Sequence, residues 1–383
     1  MNESRAETQS RREAAPWPKV RLGEICEIRK GQAITKRESN PGPYPVILGG
    51  REPAYFIDRF NHTGKAMVIS RSGASAGYVS RWNEPIFVTD GFLIEPKENC
   101  TFDYLYYTLK CKQQQLFDLK RGSAIPHVTP SLIATVYALL PPLSIQHAIA
   151  KRLSAYDELI ENNTRRIAIL ERKAEQLYKE WFVRKRFPGG LTGAPLGTIG
   201  EWYLTSSGGT PSRSKPEYFQ DGEYMWVKTG ELDGRFIIET EEHITKEAVK
   251  NCAAKIISPG ALLCSMYAGV GKLGFAVEPM TCSQATCIFM PRSYCTNEYL
   301  YFFLKENKSY LENISFGAAQ QNISQEIIKK IKLPIPEASA ISLFGERVKP
   351  MFGMILNLQR QNALLAKERD LLLPRLMSGR VKP

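Results

Sequence analysis

The sequence predicts an α+β fold. Two tandem domains of mixed α and β structure are separated by two long antiparallel coiled-coil helices, and the whole is duplicated with pseudo-two-fold character. Three observations carry this prediction. The phrase "DYLYYTLK" at residues 103–110 returns as "EYLYFFLK" at 298–305, an offset of 195 (299 − 104). The same offset links "GSAIPHVTPSLIATVYALLPP", beginning at Gly122, to "GAAQQNISQEIIKKIKLPIP", beginning at Gly317 (317 − 122). After the Pro-rich exit of each copy, the apolar residues switch to steps of three and four. Solenoid repeats have periods of roughly 20–50 residues, so each copy here is a domain and not a solenoid rung.

The elements follow in order. Residues 1–16, "MNESRAETQSRREAAP", are polar and lack an apolar run, which predicts a frayed tail and not a signal peptide. Residues 17–143 form the first domain: "YPVILGG", "AMVIS", "YVSRW" and "PIFVTDGFLI" are strand-like runs bounded by turn residues, and "FDYLYYTLKCKQQQLFDLK" has helical spacing. Residues 191–337 repeat this order, with "YMWVKTGEL", "GALLCSMYAG", "KLGFAV" and "ATCIFM" as strands. "VISRSGASAGYV" at Val68 and "LLCSMYAGVGKLG" at Leu262 share an apolar run broken by a small-residue turn.

Residues 144–190 and 338–383 are the long helices. The first carries Ile149, Leu153, Tyr156, Ile160, Asn163, Ile167, Leu170, Ala174, Leu177 and Trp181 in alternating steps of four and three. The second carries Ile341, Phe344, Val348, Met351, Ile355, Leu358, Asn362, Leu365, Arg369, Leu372 and Leu376. This is the seam of a coiled coil. At 1.5 Å per residue, Ile149 to Trp181 spans about 48 Å, longer than an ordinary helix packed on its own domain, so the two helices are expected to pair with each other. Pro350 predicts a kink or a fresh helix start. Each seam has one Asn, and an unpaired amide among apolar neighbours is costly, so Asn163 and Asn362 are expected to lie side by side. Partner numbers then sum to 525: Ile149 meets Leu376, Ile160 meets Leu365, Leu170 meets Ile355 and Trp181 meets Phe344. Tyr156 faces Arg369, which suggests a cation over an aromatic ring.

A length of 383 residues suits two or three domains of about 150 residues. Lys plus Arg is 51 against 39 Asp plus Glu, giving +12, a hint of a polyanionic partner that a merely basic soluble protein would also satisfy. Cys26, Cys100, Cys111, Cys252, Cys264, Cys282, Cys287 and Cys295 form no C-x-x-C pair, and the four His are scattered. Reduced thiols in a cytosolic chain without a zinc site are expected. No apolar run is long enough to span a membrane.

The catalytic motifs fail their contexts. "GVGKLG" (Gly269, Gly271, Gly274) fits G-x-G-x-x-G, but strand-like "FAVEPM" follows where a dinucleotide site needs a helix. As a P-loop it has Met266 at the first glycine and Leu273 at the magnesium hydroxyl. Asp90, Glu95 and Lys97 faintly suggest a nuclease, yet the second copy has Ala285, Met290 and Arg292 there. "NPGPY" at Asn40 is spoiled as an adenine pocket by Gly42. The chain reads as one without its own active site.

The turns instead are rich in hydrogen-bond donors. Thr35, Lys36 and Arg37, then Arg71 and Ser75, lie in the first domain; Thr210, Ser212, Arg213, Ser214, Lys215, Lys228, Lys272, Gln320, Gln321 and Asn322 lie in the second. Small residues let backbone approach phosphates, Arg suits guanine, and Gln or Asn suits adenine. Singly these are polar turns; as a set on two copies of one domain they favour DNA reading. Residues 165–186 hold eight Lys or Arg against three Glu, a face for a phosphate backbone, an acidic partner or solvent.

The run "LLPPLSIQHAIAKRLSAYDELIENNTRRIAILERKAEQLYKEWFVRKR" resembles the central region of Type I restriction–modification specificity subunits. "SGGTPSRSKPEYF…YMWVKTGEL" resembles the opening of a target-recognition domain and "GAAQQNISQEIIKKIKLPIP" its exit, so the likeness runs from Trp17 onward. The family usually has Glu-Gln after the exit prolines; here the first copy has Ile145-Gln146 and the second, "PEASAIS", keeps neither. The resemblance implies that each domain reads half of a split, asymmetric site in double-stranded DNA while the helices set the spacing. It implies two methyltransferase subunits carrying S-adenosylmethionine and two restriction subunits using ATP and Mg2+, with no cofactor in this chain. A stand-alone DNA nuclease or methyltransferase, or a coiled-coil scaffold, are the competing readings.

Overall fold

The computed structural model describes residues 17–35, 39–122, 125–188, 194–315 and 322–383. The chain forms two compact units, one of Met1–Ile160 with Leu364–Pro383 and one of Glu161–Ala363. Each unit therefore combines one domain with a segment of both long helices.

In the first unit, strand Phe87–Pro96 is the centre of the sheet. Cys26–Lys30 and Ala66–Ser70 lie antiparallel to it, and Tyr44–Leu48 lies parallel. "AMVIS" is buried at every position, as a strand covered on both faces requires. Entry strand Lys19–Arg21 pairs antiparallel with exit strand Tyr137–Leu139, so the domain closes on itself. Helix Phe102–Cys111 buries Tyr104, Leu105, Tyr107 and Leu109. The Tyr104 hydroxyl, deep in the core, donates to the Leu139 carbonyl at 2.7 Å. Ile149, Leu153, Leu376 and Met377 from the long helices belong to the same core.

The second unit repeats the plan. Leu196–Thr198 pairs with exit strand Lys332–Pro334, and the sheet runs Tyr203–Ser207, Thr286–Pro291, Leu262–Ser265, Leu273–Ala276, Phe236–Ile237. The offset is not constant. It is 177 at the entry strands (196 − 19) and 195 at the aromatic helices (297 − 102) and exit strands (332 − 137). Eighteen extra residues (195 − 177) thus accumulate early in the second domain. They accompany the three-stranded sheet His243–Ile244, Tyr224–Val227, Thr281–Cys282, the helix Lys246–Lys250, and a small core of Tyr218, Trp226, Ile244, Ala248 and Ala254.

The first long helix spans Leu143–Tyr178 and ends in a π turn, Lys179–Val183. The second spans Ala338–Met377 without interruption, so the fresh start expected at Pro350 is absent. Proline removes one helical hydrogen bond, and here the ring is exposed while Val348 and Phe352 beside it are buried and hold the helix down. The seams also do more than pair. Ile167, Ala174, Trp181, Phe344, Val348, Ile355 and Leu358 share one core with Tyr203, Phe289 and Tyr299 of the domain. Tyr178 and Phe352, off the seam, are buried there too. Pairing and docking on the domain thus coexist, where the sequence had favoured pairing alone.

The pairing is antiparallel. Asn163 Nδ2 donates to Gln361 Oε1 at 3.4 Å, and Asn362 Nδ2 donates to Thr164 Oγ1 at 3.3 Å. The sums 163 + 361 and 164 + 362 straddle 525. Trp181 and Phe344 meet edge to face at 6.2 Å. In the first unit, Ile160 and Leu365 are half-buried, as is Leu170 in the second. Arg369 departs from expectation. Its guanidinium bonds Asp157 Oδ1 at 2.6 Å in place of the Tyr156 ring, because a charge-assisted bond to a carboxylate outweighs an aromatic face.

Candidate nucleic-acid interface

Two loops meet in each domain. In the first, the turn after Ala66–Ser70 meets the exit loop. Gly73 N–H donates to the Pro126 carbonyl at 2.9 Å, Val128 N–H to the Arg71 carbonyl at 2.9 Å, and Arg121 and His127 exchange two backbone bonds of 2.9 Å. Lys120 Nζ closes the cluster on the Ala74 carbonyl at 2.8 Å. Arg71, Ser75, Lys120, Arg121 and His127 are thereby gathered at one junction. Arg71 lies 3.6 Å from Asp90, which also accepts from the Ser72 hydroxyl. The Arg121 side chain is exposed and has no acidic partner among the described residues.

The second domain builds the same junction 195 residues on. Ile323 N–H donates to the Met266 carbonyl at 3.0 Å, matching Val128 and Arg71 (323 − 128; 266 − 71). The bridge between Tyr267 and Asn322 matches that between Ser72 and His127 (267 − 72; 322 − 127). So the backbone frame is shared while its side chains differ: Arg71, Ser72 and His127 in one copy, Met266, Tyr267 and Asn322 in the other. Sequence reasoning found Asn322 but missed Lys120, Arg121 and His127; applying the offset to Asn322 (322 − 195) would have found His127.

"GVGK" is a turn between Leu262–Ser265 and Leu273–Ala276. Gly269 and Gly271 have φ of +100° and +82°, which glycine alone adopts readily, and the Lys272 side chain lies across Gly269. Lys272 N–H donates to Ser265 Oγ at 2.9 Å, and its side chain lines a hollow of about 450 Å³ with Glu171, Asp233, Arg235, Lys305 and Lys308.

The opening turn of the second domain is held by charge. Arg213 grips Glu242 with both terminal nitrogens, at 2.7 and 3.3 Å, and stacks over Phe219 and Trp226 at 4.3 and 5.1 Å. Lys228 Nζ bonds Glu241 and, at 3.3 Å, Glu242. The Arg213 guanidinium, opposed by slight desolvation and aided by Lys228, holds the Glu242 carboxyl below its usual range. Thr210 bonds Gln284, Ser212 bonds Ser214 at 2.8 Å, and Lys215 Nζ donates to the Tyr218 hydroxyl at 3.0 Å. These donors are thus largely engaged within the domain. Thr35 is exposed; Lys36, Arg37, Gln320 and Gln321 lie outside the described residues.

On the first long helix, Arg165, Lys179, Arg184 and Arg186 pair with glutamates. Arg166, Arg172, Lys173 and Lys185 are exposed without an acidic partner among the described residues. Gln146 is fully buried; it accepts from Thr101 N–H at 2.8 Å and donates to the Asn99 and Pro141 carbonyls, a clasp inside the first unit.

The nuclease echo dissolves. Asp90 serves the turn, Glu95 pairs with Arg29 at 3.1 Å, and Lys97 donates to the Gly23 carbonyl at 2.7 Å. Among the described residues no three His, Cys, Asp or Glu cluster as metal ligands. Burial pushes the Cys100, Cys264 and Cys282 thiols up to about 12, far from nucleophilic thiolates. No helix among the described residues is long and apolar enough to cross a membrane.

A profile of the Type I restriction modification DNA specificity domain matches residues 15–172 and again 195–360. The specificity subunit of the Type I restriction enzyme MjaIX of Methanocaldococcus jannaschii is 27% identical over 341 residues, covering 83% of this chain and 78% of that one. The MjaVIII specificity subunit of the same organism is 22% identical over 395 residues, covering 96% and 93%. The crystal structure of a Type I restriction–modification S subunit from M. genitalium aligns with a TM-score of 0.64 at 19% identity, over 96% of this chain and 98% of that one, a likeness of fold.

Proposed function

Because the chain belongs to the Type I restriction–modification DNA specificity family, we propose that it is the subunit that reads DNA for such a system. Each domain reads one half of a bipartite, asymmetric site in double-stranded DNA. The chain does no chemistry itself. Two methyltransferase subunits carrying S-adenosylmethionine modify adenines, and two restriction subunits using ATP and Mg2+ cut unmodified DNA, all in the cytoplasm. One observation supports this reading above others: the same two-loop junction is built twice, with different side chains on an equal frame. A shared frame docks both domains on the backbone alike, and differing side chains read different bases.

Replacing residues 191–337 with a relative's second domain, and mapping methylated adenines by long-read sequencing, tests it. One half of the motif should change and the other persist; a change in both halves overturns the division of labour. The purified chain alone, given DNA, Mg2+ and S-adenosylmethionine, should show no turnover, and any turnover would favour a stand-alone enzyme.

A further inference from the structure

The two copies dock their long helices through unlike chemistry at equivalent positions. In the first unit, Asp157 accepts from the Tyr107 hydroxyl at 2.6 Å and from Arg369 at 2.6 Å, with Arg81 at 3.9 Å. Arg81 also lies over the Tyr106 ring at 4.6 Å. The group is largely shielded: the side chains of Asp157, Arg81 and Arg369 are 16%, 20% and 27% exposed.

In the second unit every member but one has an apolar counterpart, by the offset of 195 or, for Arg81, by strand register. Asp157 becomes Phe352, Tyr107 becomes Phe302, and Arg369 answers to Ala174 (369 − 195). Arg81, opposite Met67, answers to Phe275, opposite Leu262. Only Tyr106 persists, as Tyr301. The result is an aromatic cluster: Phe275, Tyr301, Phe302 and Phe352 have ring centroids between 5.0 and 5.9 Å apart. The seam repeats the contrast. Asn163 and Asn362, each bonded to a polar neighbour of the other, answer to Leu358 (163 + 195) and Ile167 (362 − 195), both buried in the apolar core.

A duplicated chain has a competing way to pair. If first helices from two copies of the chain paired, the register sum would fall from about 525 to 330, and for second helices it would rise to 720. Asn163 would then face Ile167 (330), Asn362 would face Leu358 (720), and Arg369 would face Phe352 (721). Each polar group would meet an apolar one and lose its partner. Pairing of first with second helix gives each of them a polar partner. We propose that these polar layers are a pairing code: they make the first helix accept only the second, and they exclude assembly between identical helices of two copies of this chain.

The test is refolding of the full chain from denaturant across a wide concentration range, followed by light scattering. Asn163→Leu with Asn362→Ile removes one layer; adding Tyr107→Phe, Asp157→Phe and Arg369→Ala removes the second by copying the other unit. A nitroxide on Arg165→Cys, with Cys111 and Cys252 replaced, reports the pairing, since residue 165 faces itself when the sum is 330. Wild type should refold as monomer. The variants should give a dimer fraction at least about tenfold higher, because one buried polar mismatch is worth about that factor, with dipolar broadening between labels. Monomer only from folded variants, or dimers without broadening, would overturn the proposal. If the five-fold variant does not fold, the two-Asn variant decides by the same readings.

Discussion

Glu242→Gln should separate two roles of the opening turn in the second domain. Glu242 neutralises both Arg213, with bonds of 2.7 and 3.3 Å, and Lys228, at 3.3 Å. The Arg213 side chain is 55% exposed and Glu242 28%, so solvent screens the pair and its loss costs about 1 kcal/mol at most. Arg213 keeps its stacking on Phe219 and Trp226, worth about 0.5–1 kcal/mol at an exposed site, so the turn should stay in place. If these cations face DNA phosphates, removing the competing carboxylate should tighten binding at low salt. The slope of log K against log salt should steepen by about 0.9, one extra counterion released. Arg213→Ala should do the opposite. The assay is a salt titration of DNA binding by the chain assembled with its methyltransferase. Weaker binding by both variants would refute phosphate contact and show that the ion pair only positions the turn.

Other perturbations follow from the same structure. Stability owed to the ionised Glu242 should be full above its unfolded value of about 4.5 and vanish as pH falls through its lower folded value, so the melting gap between wild type and Glu242→Gln should close in acid. Tyr107→Phe should cost about 1–2 kcal/mol in denaturant unfolding, since it deletes a bond to a shielded carboxylate without leaving a gap; no loss would mean that Asp157 relies on Arg369 and Arg81. Gly77→Ala should lower the melting temperature, because φ is +85° and the new Cβ would sit 2.5 Å from the Leu116 carbonyl oxygen. Asn163→Cys with Asn362→Cys should cross-link on mild oxidation once the eight native cysteines are replaced, whereas Asn163→Cys with Ile355→Cys should not.

Much of this architecture was legible because its signals are local. β-branched runs such as "AMVIS" announce strands, and steps of three and four announce the buried stripe of each helix. What buries the stripe was not legible. Tyr178 and Phe352 lie off the seam yet are buried, because the domain packs against a second face of each helix. The repeat was visible at an offset of 195 but hidden at the entry strands, where the insertion shifts it to 177 and only the short match of Gly23-Glu24 with Gly200-Glu201 survives. The turn residues were the least readable. Arg213 and Glu242 are 29 residues apart and Arg71 and Asp90 are 19 apart (90 − 71), so a donor that looks free in sequence finds its carboxylate only when the sheet forms.

The composition of the first unit has a consequence for biosynthesis. Its core contains Leu376 and Met377 beside Leu22 and Tyr104, with Leu372 and Val381 packed against it. Between Ile160 and Leu364 the chain makes the whole of the other unit. A ribosome adding about 5–20 residues per second needs roughly 10–40 s to cross those intervening residues. Throughout that interval the first domain is synthesised but unfinished, its helix-binding face bare to other nascent chains and to chaperones. The domain made first is completed last, and a released chain truncated after Ala363 should be cut by protease in the first domain while the second resists.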